Sequence, residues 1–321
     1  MEVYPKDFCV LVASHISYEH RIHFLVECLE SLVGQSLSIP IYVSMSFENE
    51  EIKEKTILNV SASEKIINCQ FIIIVMQESK TPQMKHFEHL LNAIEYKHEW
   101  IMFCDDDDTY QEDRVLNFAY HIQKAKQEEQ PNCKLIGVYE GVSDKSHREK
   151  REEYWSYCVH KDTVKKFYTS LDKYDTIIAN KCCDVLFAEY LRRSSPVYYF
   201  IQLKKSFYNY RIEDNQNSIT GYIQNNRIMY ENFQEPPPKE SEEWSDYIEK
   251  WNKYIQENKN IYTHDFYLRT LVGIDFDTIL QNEFLQNYCL LEYMDQDFIE
   301  ELRNWHLEIK EACNLVYDIP I

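Results

Sequence analysis

Four consecutive aspartates, Asp105 to Asp108, follow the apolar run Trp100-Ile101-Met102-Phe103-Cys104. A short apolar run of this kind reads as a buried β-strand. Side chains two apart on an extended chain share a face, so Asp105 and Asp107 would converge on one point and Asp106 and Asp108 on another. Crowded carboxylates raise one another's pKa unless a cation neutralises them. Mg²⁺ typically takes one or two carboxylates and completes its shell with water and phosphate oxygens. The chemistry this suggests is a divalent ion, Mn²⁺ or Mg²⁺, holding a diphosphate at the carboxyl end of a sheet. A solvated acidic loop is the bland alternative, set against by the strand directly before it.

The elements that would position these carboxylates alternate. Phe8 to Ala13 reads as a strand and Tyr18 to Gln35 as a helix, with Ile22, Leu25, Val26, Leu29, Leu32 and Val33 on one helical face. Further strands are expected at Ile39–Met45, Gln70–Met76 and Trp100–Cys104, with helices at Glu50–Leu58 and Gln83–Tyr96 between them. Strands alternating with helices imply a parallel α/β sheet, and in such sheets ligands bind outside the carboxyl ends of the strands. Beyond the aspartates, the pattern predicts a helix over Glu112–Gln127, strands over Lys134–Tyr139, Tyr154–Val159 and Val197–Leu203, and helices over Lys161–Ser170 and Cys183–Arg193. Pro236-Pro237-Pro238 marks a break, since proline triplets stop helices. Only helical periodicity follows, over about Glu242–Glu257, Thr263–Leu271, Asp275–Met294 and Asp295–Val316. The expected division is therefore residues 1–235 and a helical extension, 236–321. The extension's aromatic stripes are expected to pack on the first domain, shaping an acceptor site or a contact between copies of the chain.

Composition narrows the function classes. The chain has 321 residues, 44% of them hydrophobic, and a net charge of −20. That charge argues against nucleic acid and against docking on an anionic membrane. No apolar run reaches the ~20 residues of a membrane span, and the start lacks a signal-peptide pattern. The ten cysteines show no metal-ligand spacing and read as reduced thiols of a cytoplasmic protein. With five glycines, the chain has no Gly-rich phosphate loop.

Three segments, in order, carry a family resemblance: Trp100 to Asp108; Cys183-Asp184-Val185-Leu186-Phe187-Ala188-Glu189; and Tyr210-Arg211-Ile212-Glu213-Asp214-Asn215-Gln216-Asn217-Ser218-Ile219-Thr220. Together they resemble the GT-A glycosyltransferases, especially the inverting family 2 type, over roughly residues 7 to 225. The resemblance implies an α/β fold with a GT-A-type, Rossmann-like mixed sheet flanked by helices, here with a C-terminal all-helical extension. It also implies a metal-dependent transfer of sugar from a nucleoside-diphosphate donor, with UDP favoured, to a hydroxyl acceptor. Asp105 and Asp107 would hold the ion and the donor's ribose. Asp184 would be the catalytic base, or a helix N-terminal carboxylate that complements the dipole. Ser14, His15, Arg21 and Glu48 fall where the family binds the nucleotide; His15 is alternatively a cap for the following helix. Lys85, His86 and His89 precede the aspartates on a helix close to the diphosphate, Asp106 stands beside it, and Arg211 and Ser218 would close on it from the late loop. Trp155 and Tyr157 face the acceptor side or pack in the core. The sequence departs from the family at Ser46-Phe47-Glu48, Lys85-His86-Phe87 and Cys183-Asp184, where members carry other residues.

Cys104-Asp105-Asp106-Asp107-Asp108-Thr109 also matches the Asp-x-Asp-x-Thr signature of haloacid-dehalogenase-like phosphatases, with Asp105 as nucleophile. That motif ordinarily follows the first strand of its sheet, and here three strands are expected before it. A third reading is a Ca²⁺-stabilised adaptor that uses the helical extension as its partner surface.

Overall fold

A computed structural model describes residues 5–128, 134–141, 153–193, 198–211, 236–283 and 295–318. The chain forms two compact units, Met1–Arg211 and Ile212–Ile321, against an expected boundary after residue 235.

The first unit opens with β1 (Phe8–Ile16), α1 (Arg21–Val33), β2 (Ile41–Phe47), α2 (Glu50–Ala62), the short α3 (Glu64–Ile67), β3 (Ile72–Met76), α4 (Gln83–Ala93) and β4 (Trp100–Asp105). β1 is buried almost throughout because its apolar run is covered on both faces, as parallel strands require. α1 starts at Arg21, three residues later than its periodicity suggests. Tyr18, Glu19 and His20 instead form a turn in which the Arg21 N–H donates to the Tyr18 carbonyl at 3.1 Å. α2 runs four residues past its expected end; it starts where Asn49 Oδ1 accepts the Ile52 N–H at 3.0 Å, a typical N-cap.

Next come β5 (Thr109–Tyr110), α5 (Arg114–Gln127), β6 (Lys134–Glu140), β7 (Tyr157–His160), α6 (Lys161–Ser170), α7 (Asp175–Ile178), α8 (Cys183–Arg192), β8 (Tyr198–Leu203) and β9 (Tyr208–Asn209). Among the described residues seven strands form one mixed sheet in the order β3-β2-β1-β4-β7-β6-β8, and β5 pairs with β9 in a small ribbon. β1 to β4 are mutually parallel, and β7 is antiparallel to both its neighbours. The strand expected to start at Tyr154 begins only at Tyr157. Tyr154–Ser156 form a 3₁₀ turn whose side chains are all buried, so burial rather than alternation governs that stretch.

The chain runs outward from β1 to β2 and β3, then returns to lay β4 on the other side of β1. The order therefore reverses between β1 and β4, and adjacent crossovers leave a crevice at the carboxyl ends of these two strands. Right-handed crossovers place α4 on the opposite face of the sheet from α1 and α2, and α4 packs on β1 and β2.

The second unit consists, in its described residues, of α9 (Trp244–Glu257), α10 (Lys259–Leu271), α11 (Phe276–Glu283) and α12 (Gln296–Tyr317). It has its own core of Trp251, Ile255, Tyr262, Phe266, Phe276, Ile279, Phe298 and Leu302. Trp244, Tyr247, Ile248, Trp251, Tyr254 and Ile255 repeat at three and four residues along α9, which places them on one stripe toward that core. No helix among the described residues is long and apolar enough to cross a membrane.

Candidate active site

The aspartates sit at the β1/β4 reversal. Asp105, the last residue of β4, pairs with Ala13 of β1. Its side chain lies on the α4 side of the sheet. Oδ1 accepts from Gln83 Nε2 at 2.8 Å and from the Tyr154 hydroxyl, and Gln83 also donates to the Tyr154 oxygen at 2.8 Å. Asp106 points to the other face, where Ser14 Oγ donates to it at 2.6 Å and Arg21 Nη2 at 2.8 Å. Alternation then stops, because the chain turns and the Asp108 N–H donates to the Asp105 carbonyl at 3.2 Å. Asp107 consequently joins Asp106 beside Arg21, with Nη2 3.4 Å from Oδ2, instead of sharing a side with Asp105. Asp108 turns inward, and its Oδ1 accepts the Arg211 N–H at 2.7 Å.

Three carboxylates thus act on one guanidinium, with Asp108 behind them. Asp106 first, then Asp107 and Asp105, hold Arg21 above its ordinary pKa. This single cation does not balance the group. Burial, then Asp108 and Asp107, push Asp105 well above the usual carboxylate range. Burial and Asp107 push Asp108 up to about 8. Its Oδ2 is buried with no hydrogen bond of good geometry. Tyr208, whose oxygen accepts the Asp105 N–H at 3.1 Å, keeps its own proton to offer Asp108. Asp184, in the first turn of α8, also joins this field: its charge raises both Asp105 and Tyr154.

Among the described residues no three acidic, His or Cys side chains converge as a ready-made metal cage. What fits is the sparser demand of a hard divalent ion, one or two carboxylates with water and phosphate completing the shell. The excess negative charge on Asp105 and Asp108 is what such an ion would relieve.

A second polar group lies alongside, at the ends of β1 and β2. His15 pairs with Ser46 in the sheet register. Its Nδ1 is 2.8 Å from Ser46 Oγ and its Nε2 3.2 Å from Glu48 Oε2. His15 therefore bonds across the sheet and does not cap α1, whose N-terminus has no side-chain cap. His86 reaches the same place from α4, with Nδ1 2.7 Å from Ser44 Oγ and Nε2 3.0 Å from Ser46 Oγ. Burial lowers its pKa to about 3. Glu48 also receives Lys80 at 3.3 Å.

The structure thus gathers Ser14, Arg21, Asp105, Asp106, Asp107 and Arg211 at one point, with His15, Glu48 and His86 beside them. Lys85 is drawn elsewhere, to Glu88 and Asp175, and His89 is exposed on α4. Arg211 Nε donates to the Asp107 carbonyl at 2.8 Å, and the guanidinium lies over the Phe24 ring beside Glu27. It braces the aspartate loop. Ser218 lies outside the described residues. Trp155 stacks between Tyr208 and Tyr210, and Tyr157 stacks on Tyr139, so both pack with other rings of the unit. Sequence reasoning missed Gln83, Tyr154, Tyr208 and Ser46. Only Ser46 left a signal, as the partner of Ser44 on one face of the otherwise apolar β2.

No protein-family model matches the chain, and no curated protein matches it. Among solved structures it is similar to S. aureus TarS, over 96% of this chain and 54% of that one, at 13% identity and a TM-score of 0.41. The chain thus spans about half the length of that protein. It is similar to the 1–349 portion of S. aureus TarS over 96% and 89% of the two chains, at 14% identity and 0.44. A third likeness is to 4-diphosphocytidyl-2C-methyl-D-erythritol synthase from Anaerococcus prevotii, over 69% and 98%, at 13% identity and 0.42. Similarity of this degree assigns no activity to the chain.

Proposed function

We propose that the protein is a metal-dependent, inverting glycosyltransferase of the GT-A type, which moves a sugar from a nucleoside-diphosphate donor to a hydroxyl acceptor. One observation carries the reading: an under-neutralised aspartate cluster at the carboxyl ends of the parallel strands of a mixed sheet, at the point where strand order reverses. That is where open α/β sheets bind ligands, and a cation shared with a diphosphate is the ligand that balances such charge. The resemblance favours uridine as the nucleoside.

Asp107, on the Arg21 side of the loop, would hold Mn²⁺ or Mg²⁺ as the single carboxylate ligand, with Asp105 adding negative charge from the other side. Bound there, the ion supplies Lewis-acid neutralisation of the leaving diphosphate. Gln83 and Tyr154 orient Asp105, while Ser14 and Arg21 hold Asp106 and so set the loop. His15 and Glu48 border the nucleotide side, where the Glu48 carboxylate accepts hydrogen bonds from the base or ribose. Asp184 takes the proton of the acceptor hydroxyl. The freed oxygen attacks the sugar C1 from the face opposite the diphosphate, the bond from C1 to the diphosphate oxygen breaks, and the configuration at C1 inverts. The phosphatase reading finds no further support: β4 is the fourth strand among the described residues and a central one.

The test is a screen of nucleotide sugars with Mn²⁺, read as released nucleoside diphosphate, beside thermal shifts with UDP and Mn²⁺ together. Release from a UDP-sugar and a shift that needs both components are expected. Stabilisation by beryllofluoride with Mg²⁺ but not by UDP would replace the transferase with a phosphatase, and stabilisation by Ca²⁺ alone with an adaptor.

A further inference from the structure

Two imidazoles, three hydroxyl or amide groups and one carboxylate form a continuous chain across the ends of β2, β1 and α4. Gln77 Nε2 donates to Ser44 Oγ at 2.9 Å, and Ser44 Oγ is 2.7 Å from His86 Nδ1. His86 Nε2 is 3.0 Å from Ser46 Oγ, which is 2.8 Å from His15 Nδ1. His15 Nε2 is 3.2 Å from Glu48. Ser46 Oγ also accepts the Thr81 N–H, at 3.3 Å.

Proton counting gives this chain a direction. A carboxylate only accepts, so the His15 nitrogen facing Glu48 carries the ring proton. The neutral ring then has a bare Nδ1, which can only accept, and Ser46 must donate its single proton there. Both lone pairs of Ser46 remain, one for the Thr81 N–H and one for a proton on His86 Nε2. His86 in turn has a bare Nδ1 and takes the Ser44 proton, while the Ser44 oxygen accepts from the Gln77 amide. Every donor has one acceptor, and the reverse direction fails at Glu48, which has no proton to give.

We infer that Ser46 and His86 are positioning residues that lock His15 in its Nε2–H tautomer, aimed at Glu48, through this one-way chain. The functional consequence, which rests on the proposed nucleotide side of the site, is that the rim there presents the Glu48 carboxylate and offers a ligand no bare ring nitrogen. The groups facing His15 are Glu48 and Ser46 at the end of β2, Lys80 before α4, Arg21 at the start of α1 and, through Ser46, His86 on α4. Glu48 favours a charged ring; burial, Lys80 and Arg21 oppose it, and the net effect lowers the His15 pKa. The neutral ring that the counting requires is thus the form present at neutral pH.

The experiment is two-bond ¹H–¹⁵N correlation spectroscopy on the full chain with labelled histidine, assigned through His15→Gln and His86→Gln. At neutral pH both rings are expected with a protonated Nε2 and a bare Nδ1. An Nδ1–H form or fast averaging at either ring in the unsubstituted protein overturns the inference, with no variant required to fold. In Ser46→Ala, His15 is expected to average between tautomers and its titration midpoint to rise by about one pH unit, the size of one lost hydrogen bond to the neutral ring. Ser46→Thr restores both. A locked His15 in Ser46→Ala also overturns the inference. UDP binding measured on the same samples separates the two readings. Locked tautomers without UDP binding uphold the chain and remove the nucleotide assignment; UDP binding with an Nδ1–H His15 does the reverse.

Discussion

Two arginines of the first unit, Arg114 buried and Arg21 half-buried, show opposite ways of handling charge. Arg114 on α5 faces Glu140 at the end of β6, and both side chains are fully buried. Nε donates to Glu140 Oε1 at 2.7 Å and Nη2 to the Trp155 carbonyl at 2.6 Å, while Glu140 Oε2 accepts the Phe207 N–H at 2.5 Å. The rings of Tyr110, Tyr208 and Phe118 flank the guanidinium at 4.0, 4.9 and 5.0 Å. Charge is balanced one to one; Arg114 Nη1 is left without a hydrogen bond. Arg21 faces three acids: it pairs with Asp106 and Asp107 and feels Asp105, at the carboxyl ends of β1 and β4. The balanced pair joins α5, β6 and the 3₁₀ turn into one body. The unbalanced cluster holds negative charge that the fold leaves uncompensated, and it is there that a cationic ligand gains most.

The contrast is most exposed by breaking the closed pair. Glu140→Ala strands a buried guanidinium and is expected to cost about 3–5 kcal/mol, read as a fall in the denaturant midpoint. Arg114→Met with Glu140→Leu is expected to recover most of that loss, because two buried charges leave together. A small effect of Glu140→Ala would show that water reaches the pair and that the two arginines do not differ in kind.

On the open side, loss should appear in chemistry. Asp184→Asn keeps the side chain's shape and removes its proton acceptor. Turnover is expected to fall at least about a hundredfold, the lower end of general-base contributions, with UDP and Mn²⁺ binding retained. The product of the unsubstituted enzyme is expected with inverted configuration at C1, and retention there would exclude Asp184 as the base of an inverting reaction. Asp107→Ala relieves a crowded cluster, so its stability is expected to change by less than about 1 kcal/mol. The Mn²⁺-dependent shift with UDP should vanish in the same variant. Persistence of that shift would move the ion off Asp107.

At neutral pH the smallest effect is that of His86, and it emerges only on acidification. His86 is held neutral in the folded protein, with a pKa of about 3, whereas an unfolded histidine titrates near pH ~6.5. Between these values the unfolded chain binds the extra proton. The contribution of His86 is therefore fully present above about pH 6.5 and falls as the pH drops toward 3, by at most about 1.4 kcal/mol per unit. His86→Gln should flatten this part of the stability profile, and an unchanged slope would mean that His86 is protonated in the fold.

Much of the first unit was legible from period alone. Apolar runs bounded by polar residues located every strand of the main sheet, and 3,4 spacing located α1, because burial imposes those repeats on any chain that folds. Element ends were less legible. The start of α1 and the 3₁₀ turn at Tyr154 depend on which backbone groups find partners, and spacing does not report that. The short ribbon of β5 and β9 joins residues a hundred positions apart and leaves no local trace.

The same division runs through the site. The sequence by itself determined that four carboxylates stand at the end of an apolar strand and that a serine, a histidine and an arginine end or follow the first strand, since residue type and order need no fold. Only the tertiary structure decided which of them meet. The turn at Asp106-Asp107 turns Asp107 toward Arg21, against simple alternation. Helical phase sends His86 into the sheet and Lys85 to Glu88 and Asp175. Tyr154, Gln83 and Tyr208 reach Asp105 from three separate segments. Pairings of this kind follow from strand order and helix packing, which bring distant positions within hydrogen-bond range, and a one-dimensional pattern carries no record of distance.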